Sequence, residues 1–505
     1  MTVPLSGLVF VVAAAKLVLH LYAGRHYGYF VDELYYLACS RHLAWGYVDQ
    51  PPLIALTTWL GRHLLGDSLP ALRLLPALAG AAEILLTGLL AREIGAGRFG
   101  QVLASIGVLV APGILALHHF DSMNAYEPLF WTGCAWLAVR IVKTGDTRLW
   151  LWFGVLAGLG LENKYSMGMF AAGLVLGVLA TAERRVLASR WLWAGGALAF
   201  LIFLPNLLWN VHHHFPFLEL QANIRSSGRD VPLGPGAFLG QEIFTMLPLT
   251  FPVWLAGLWH YFGPAEGRPY RFLGWGWIFT AAVIMMMSPR IYYLYPAFPL
   301  LFAGGGAAWE RWLARPRWAW ARVAYPALLL AAGAVFAPIT LPVLSPEHYI
   351  RYTQILHLQQ PRIENHKLGP LPQLFADQFG WEEMAQVVAR IYHALPPDVR
   401  AKTAIYGQTY GQAGAIDLFG PKYGLPPAIS GHQSYFLWGP GGYTGESMIV
   451  MAGNRQDLET RFAGVEKAGT VYHPYSMPYE HFDVFYCTGL KTPLAEIWPK
   501  VKSWD

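Results

Sequence analysis

The first two thirds of the chain consist of long apolar blocks separated by short polar loops, and the last third does not. About eleven such blocks can be marked, at residues 5–23, 70–90, 99–117, 125–142, 149–161, 166–180, 191–209, 237–259, 272–287, 291–308 and 323–341. Roughly twenty apolar residues in helical form cross the hydrocarbon of a bilayer, so the pattern predicts transmembrane helices. The two blocks flanking Glu162–Lys164 are short, which suits a hairpin dipping towards a water-filled cavity as well as two full crossings. From residue 345 the pattern becomes that of a soluble protein. Helices are predicted over 381–394 and near 410–419 and 456–462, with strands near 403–406, 447–451 and 483–487. This alternation reads as a small α/β unit. The predicted architecture is a polytopic α-helical membrane domain over residues 1–344, with helices at about 31–65 in its first outer loop, and a soluble α/β domain over 345–505.

Composition sharpens this picture. The chain is 55% hydrophobic and only 13% charged, against about 25% charged in soluble proteins. Lys and Arg cluster in alternate loops: Arg92 and Arg98; Arg140, Lys143 and Arg148; Arg184, Arg185 and Arg190; Arg268 and Arg271; Arg311, Arg315, Arg317 and Arg322. Placing these loops inside puts the N-terminus in the cytoplasm and, with an odd number of spans, the segment from Ser345 outside. The net charge of +5 therefore reports orientation rather than affinity for nucleic acid. No basic leader with a small-residue cleavage site opens the chain, so the first block is expected to remain as a span. Cys39, Cys134 and Cys487 form no paired motif and are assigned no chemistry. Gly407, Gly411 and Gly414 lack the spacing of a dinucleotide loop and read as turn glycines.

The polar residues that ask for an explanation lie in the outer loops. The first holds Asp32-Glu33-Leu34-Tyr35-Tyr36 and, further on, Trp45-Gly46-Tyr47-Val48-Asp49-Gln50-Pro51-Pro52. Helical spacing sets Asp32 on the face of Tyr35 and Tyr36. A carboxylate beside aromatic rings suits a base working on a bound sugar, while the plainer reading is a helix cap. The second loop holds His118, His119, Asp121 and Ser122, and the third Glu162-Asn163-Lys164-Tyr165. Each is also readable as a solvated turn or a local ion pair. The loop at 211–236 carries His212-His213-His214, whose adjacency is not a metal motif, together with Arg225 and Arg229 at helical i, i+4 spacing. In Ser288-Pro289-Arg290-Ile291-Tyr292-Tyr293-Leu294-Tyr295-Pro296 the arginine lies on the outer side against the charge rule, so it either snorkels or binds an anion. Lys16 and Glu83 fall inside spans and are expected to face the bundle interior in structural roles. Under this topology Asp32, Asp121, Lys164, Arg225 and Arg290 all lie on one side of the membrane, joining a proton acceptor to cations that suit a phosphate leaving group.

Those motifs, over essentially the whole membrane part, resemble the protein O-mannosyltransferase-related family of GT-C glycosyltransferases, which includes the lipid A aminoarabinose transferases. The resemblance implies inverting transfer from a polyprenyl-phosphate sugar to an extracytoplasmic lipid, glycan or protein. It implies a catalytic set of Asp32, Glu33 and Asp121, with Asp32 as base. Arg290 and Tyr293 would hold the donor phosphate with Lys164 and Arg225, and Tyr35, Tyr36, Asp49 and Gln50 would contact substrate. Family members often carry Lys or His where this chain has Gln50, an uncharged amide that leaves a phosphate role there open. The implied location is the plasma (inner) membrane. No cofactor is assigned, and a divalent cation held by a few carboxylates stays open. The rival readings are a multi-span transporter of a lipid-linked or anionic substrate, which lacks support from internal repeats, and a scaffold for an envelope partner.

Overall fold

A computed structural model describes residues 3–228, 231, 233–287, 290–360 and 364–505. Arg229, Ser288 and Pro289 lie outside the described residues. All the apolar blocks are helical, but not all are straight spans. The block at 99–117 breaks at Ala111, between helices Arg98–Val110 and Pro112–Leu117. Pro112 biases the residue before it towards extended backbone, and Ala111 has ψ 112°. The block at 237–259 turns through 95° between Pro235–Thr245 and Pro248–Phe262, where Leu247 takes a left-handed φ of 68° ahead of Pro248. By length and hydropathy, three described helices can each cross a membrane alone: Leu69–Glu93, Arg190–His212 and Pro316–Thr340. The count rises to five if each of two bent pairs is one span. In the latter two of those three helices only 11% and 17% of the most apolar stretch is buried, so these present their apolar surface to lipid.

The helices approach one another through small residues, as expected where apolar burial alone gives no preference for protein over lipid. Gly154 faces the Gly195 backbone, joining Leu149–Asn163 to Arg190–His212. Gly257 and Gly305 join Phe251–Phe262 to Phe298–Trp312 in the same way. None of these positions has room for a Cβ. The helix Leu74–Glu93 gives the bundle its two ends. Near its C-terminus Glu93 gathers Arg92, Arg140 and Lys143 at 2.9, 3.5 and 3.0 Å. At its other end, about 30 Å away for twenty residues of helix, Arg73 meets the first polar loop.

After the apolar helix α1 (Gly7–Ala23), that loop folds as helices α2 (Val31–Arg41) and α3 (Leu53–Leu65), which lie at the Arg73 end. The C-terminal part carries a five-stranded mixed sheet ordered β2-β1-β3-β5-β4, from β1 (Thr403–Gly407), β2 (Ile429–Ser430), β3 (Ser447–Met451), β4 (Phe462–Val471) and β5 (Phe482–Leu490). Alternation in the strands sends Ala404, Met448 and Val450 to one face, packed on Trp498. Ile405, Ile449 and Met451 go to the other, beneath helices Trp381–Ala394 and Tyr410–Phe419. The second core continues without a break into Leu34, Tyr35, Ile54 and Ala55 of α2 and α3.

Candidate active site

The first turn of α2 explains its two acids differently. Glu33 reaches back to accept from the Phe30 backbone N–H (2.8 Å), so it supplies the cap that the sequence had offered to Asp32. Glu33 has no exposed surface. Its carboxylate takes a two-pronged bond from Arg73 (2.9 and 2.8 Å) and a third from the Asp121 backbone N–H (3.0 Å). Its oxygens are thus occupied by protein, which makes it the peg joining α2, the Leu74–Glu93 helix and the loop at Asp121. Asp32, half-buried beside it, points towards the C-terminal unit and accepts from the Tyr410 hydroxyl at 2.7 Å.

Asp121 is buried, with Thr58 Oγ1 of α3 at 2.6 Å from Oδ2 and Tyr126 donating to Oδ1 at 3.1 Å. Burial, with the Glu33 charge adding, pushes its carboxyl up to about 7 against the pull of those hydroxyls. Tyr35 lies beneath Asp32 with its hydroxyl 2.8 Å from Asp49 Oδ1 and 2.7 Å from Ser434 Oγ. Burial likewise raises the Asp49 carboxyl to about 7, with the Asp32 charge contributing. Tyr36 is buried within the electrostatic reach of both Asp32 and Asp49. Gln50 is turned inward: its amide nitrogen donates to Cys39 Sγ at 3.8 Å, and its buried oxygen has no hydrogen-bond partner.

The Trp45–Gln50 loop also ties these acids to the cations. Asn206 donates to the Trp45 carbonyl (2.8 Å) and accepts from Tyr165 (3.3 Å), the neighbour of Lys164. Lys164 is buried, donates to Glu127 (2.9 Å) and Asn124 (2.8 Å), and stands 4.4 Å from the Tyr293 ring centre and 5.3 Å from that of Tyr292. Two loops that are remote in sequence therefore meet as one cation–aromatic cluster. Arg290 opens the turn carrying Tyr293 and pairs with Glu364 of the C-terminal unit. Glu364 and Asp32 both lie close enough to the buried Asp377 to help hold its carboxyl above the usual range, after burial itself and Glu480. Acid and cation clusters thus share one end of the bundle. Arg225 is exposed near the end of helix Pro216–Ser227, and no described contact ties it to Lys164. That helix ends close by, since Asn365, next to Glu364, donates to the Gly228 carbonyl at 2.8 Å.

Sequence reasoning missed Arg73, Glu127, Tyr410 and Ser434. Arg73 could have been found as a charged residue inside the apolar block at 70–90. Within the bundle, Lys16 has no exposure and lies 3.2 Å from His118 Nδ1, while Glu83 accepts from Thr132 at 2.8 Å. Both charges thus face the bundle interior, as expected, each with a hydrogen-bonding neighbour. Among the described residues no group of three or more His, Cys, Asp or Glu is arranged to hold a metal ion.

Fold and site define an integral-membrane protein whose carboxylates and cations meet at one end of a helical bundle, under an α/β unit. Residues 49–209 match the family model of dolichyl-phosphate-mannose-protein mannosyltransferase. The chain is 30% identical over 188 residues to the lipid A galacturonosyltransferase RgtD of Rhizobium johnstonii, covering 37% of this chain and 39% of that protein. It is 25% identical over 334 residues to the lipopolysaccharide core galacturonosyltransferase RgtA of the same organism, covering 62% and 64%. The aligned part thus spans less than two thirds of either relative. Its fold is similar to the crystal structure of ArnT from Cupriavidus metallidurans bound to undecaprenyl phosphate, with a TM-score of 0.62 at 15% identity over 95% of this chain and 98% of that one. The apo state of ArnT gives 0.60 at 17% identity. The matches liken the chain to membrane glycosyltransferases of the GT-C type, whose fold it shares.

Proposed function

We propose that the protein transfers a sugar from a polyprenyl-phosphate donor to a lipid or glycan acceptor of the cell envelope, with inversion, at the outer face of the inner membrane. The observation carrying this reading is the meeting of Lys164 and Tyr293, from loops more than a hundred residues apart, at the same bundle end as Asp32. In this reading the N-terminus is cytoplasmic, about eleven segments thread the membrane, and residues 345–505 form the extracytoplasmic domain.

Asp32 takes the proton of the acceptor hydroxyl as its oxygen bonds to the anomeric carbon from the face opposite the phosphate. The carbon–oxygen bond to the phosphate breaks, and the lipid phosphate leaves with the electron pair. It gains one negative charge, so it needs a cation rather than a proton. Lys164, fixed by Glu127 and Asn124, and Arg290 supply that charge, with Tyr293 alongside. Asp121 positions the acceptor, and Glu33 acts through its hold on the Asp121 loop. The ligands named for the related proteins support the choice of substrates: ArnT was solved with undecaprenyl phosphate, and RgtD and RgtA act on lipid A and lipopolysaccharide core. The shape of α3 fits a lipid acceptor as well. Leu56, Leu60 and Leu64 are exposed along one face, while Arg62 and His63 line a polar pocket of about 490 Å³.

The test is Asp32→Asn in purified protein given polyprenyl-phosphate sugars and envelope lipids, with product identified by mass. Donor binding is expected to persist and turnover to vanish. Normal transfer by this variant would refute the base assignment.

A further inference from the structure

The C-terminal unit does more than cover the site. Helix Tyr410–Phe419 packs on α2 through Gly411 and Gly414, which lie inside the helix rather than in turns. A Cβ on Gly414 would stand 2.9 Å from the Leu34 carbonyl oxygen, and one on Gly411 would meet Val31 at 2.5 Å. The two helices therefore touch backbone to backbone, which brings the first residue of the later helix, Tyr410, over the first turn of α2. Its hydroxyl donates to Asp32 Oδ1 at 2.7 Å. The ring is held from both sides. It stacks on His432 (4.9 Å, 3° between planes) and leans on Tyr35 (4.7 Å). His432 is fixed in turn, since its Nδ1 accepts from the Tyr410 backbone N–H at 3.0 Å and its Nε2 lies 3.2 Å from Asp505. Two residues on from His432, Ser434 bonds the Tyr35 hydroxyl and accepts from the Val48 N–H at 3.1 Å. Two strand-to-helix junctions of the α/β unit thus converge on the residues around Asp32.

We infer that Tyr410 is a positioning residue for the transfer reaction, aiming the Asp32 carboxylate at the acceptor, and that the C-terminal unit is a required part of the active site. The inference rests on the assignment of Asp32 as base. A hydroxyl donating to a carboxylate favours its charged form, and a ring held on both sides fixes the direction in which that carboxylate is aimed.

The experiment compares full-length Tyr410→Phe, Gly414→Val, Asp32→Asn and, as a control, Tyr472→Phe, whose side chain belongs to an exposed residue of the same unit (65%). Initial rates are measured against pH with undecaprenyl-phosphate sugar and lipid A, and thermal midpoints are taken in detergent. Tyr410→Phe keeps the ring and is expected to fold. Its kcat should fall about tenfold, the loss of one bond to a charged group, with both KM values nearly unchanged. The acid limb of its kcat profile should move upward by about one pH unit. Gly414→Val keeps the hydroxyl but pushes its helix off α2, and should show the same displaced limb. Tyr472→Phe should match the parent. A Tyr410→Phe profile that superimposes on the parent overturns the inference while an inactive Asp32→Asn leaves the base assignment standing. Lost activity with an unmoved limb and a lowered thermal midpoint also overturns it, because that is a structural effect alone. Undiminished turnover by Asp32→Asn removes the assignment on which it rests.

Discussion

The pair formed by Glu33 and Arg73 offers a decisive perturbation, because the sequence suggested chemistry for Glu33 and the structure gives it a mechanical part. Both side chains are essentially dry, with relative exposures of 0% and 2%. Removing one partner leaves the other charge buried and uncompensated, which costs about 3–5 kcal/mol. Glu33→Gln keeps the shape but leaves Arg73 unpaired, and Arg73→Met does the reverse, so each should lower the thermal midpoint sharply. Removing both charges in Glu33→Met/Arg73→Met avoids the stranded charge. It still leaves the Phe30 and Asp121 N–H groups without the acceptor they have now, at about 1–3 kcal/mol each. The double variant should therefore be less destabilised than the two single effects added together. The assay is thermal unfolding in detergent, followed by intrinsic fluorescence, with turnover measured on the same preparations below the midpoint. Folded Glu33→Gln should retain substantial turnover, reduced only as far as the Asp121 loop loosens. If Glu33→Gln is as stable as the parent and yet inactive, the peg description is wrong and Glu33 belongs to the chemistry.

Two further outcomes follow from the same geometry. Replacing Lys164 and Glu127 together by Gln removes a cation without stranding its carboxylate. The donor KM should rise about 10- to 100-fold, the worth of a charged hydrogen bond, and an unchanged donor KM would show that Lys164 does not hold the phosphate. Asp121 makes stability depend on pH. Its folded carboxyl is raised from 3.8 to about 7, so between those values the fold binds a proton that the unfolded chain has released. Stability should fall as pH rises through that window, by up to about 4 kcal/mol. In Asp121→Asn the thermal midpoint should vary less across it, and an identical slope would count against the buried neutral carboxyl.

How much of this was legible in the sequence depends on the kind of contact. The helices at 381–394 and 410–419 and the strand at 447–451 follow from local periodicity and lie where that pattern puts them. Strand β4 escaped because it is an edge strand, largely exposed, with Gly464, Gly469 and a register shift after Lys467. The bends at Ala111 and Leu247 were hidden because hydropathy averages over a proline that local geometry does not ignore.

The site shows the same division more sharply. An acid in a helix beside two tyrosines, and a cation on the side where cations are scarce, are anomalies visible in one dimension. Their partners are not, because Glu127 and Tyr410 are ordinary residues in ordinary helices until folding brings them to Lys164 and Asp32. The glycines at 411 and 414 carry the same lesson. Glycine in sequence signals either an unusual backbone angle or a close neighbour, and only the neighbour's identity separates the two. Here the neighbour is α2, whose residues Glu33–Ser40 are all buried although they belong to a polar loop between apolar helices. A loop helix buried on every side must be enclosed by something large. The second core accounts for that enclosure, since Leu34 and Tyr35 share it with Ile405 and Ile449 of the sheet. The α/β unit and the loop helices thus fold as one body, so the position of Asp32 is set as much by the last third of the chain as by the first.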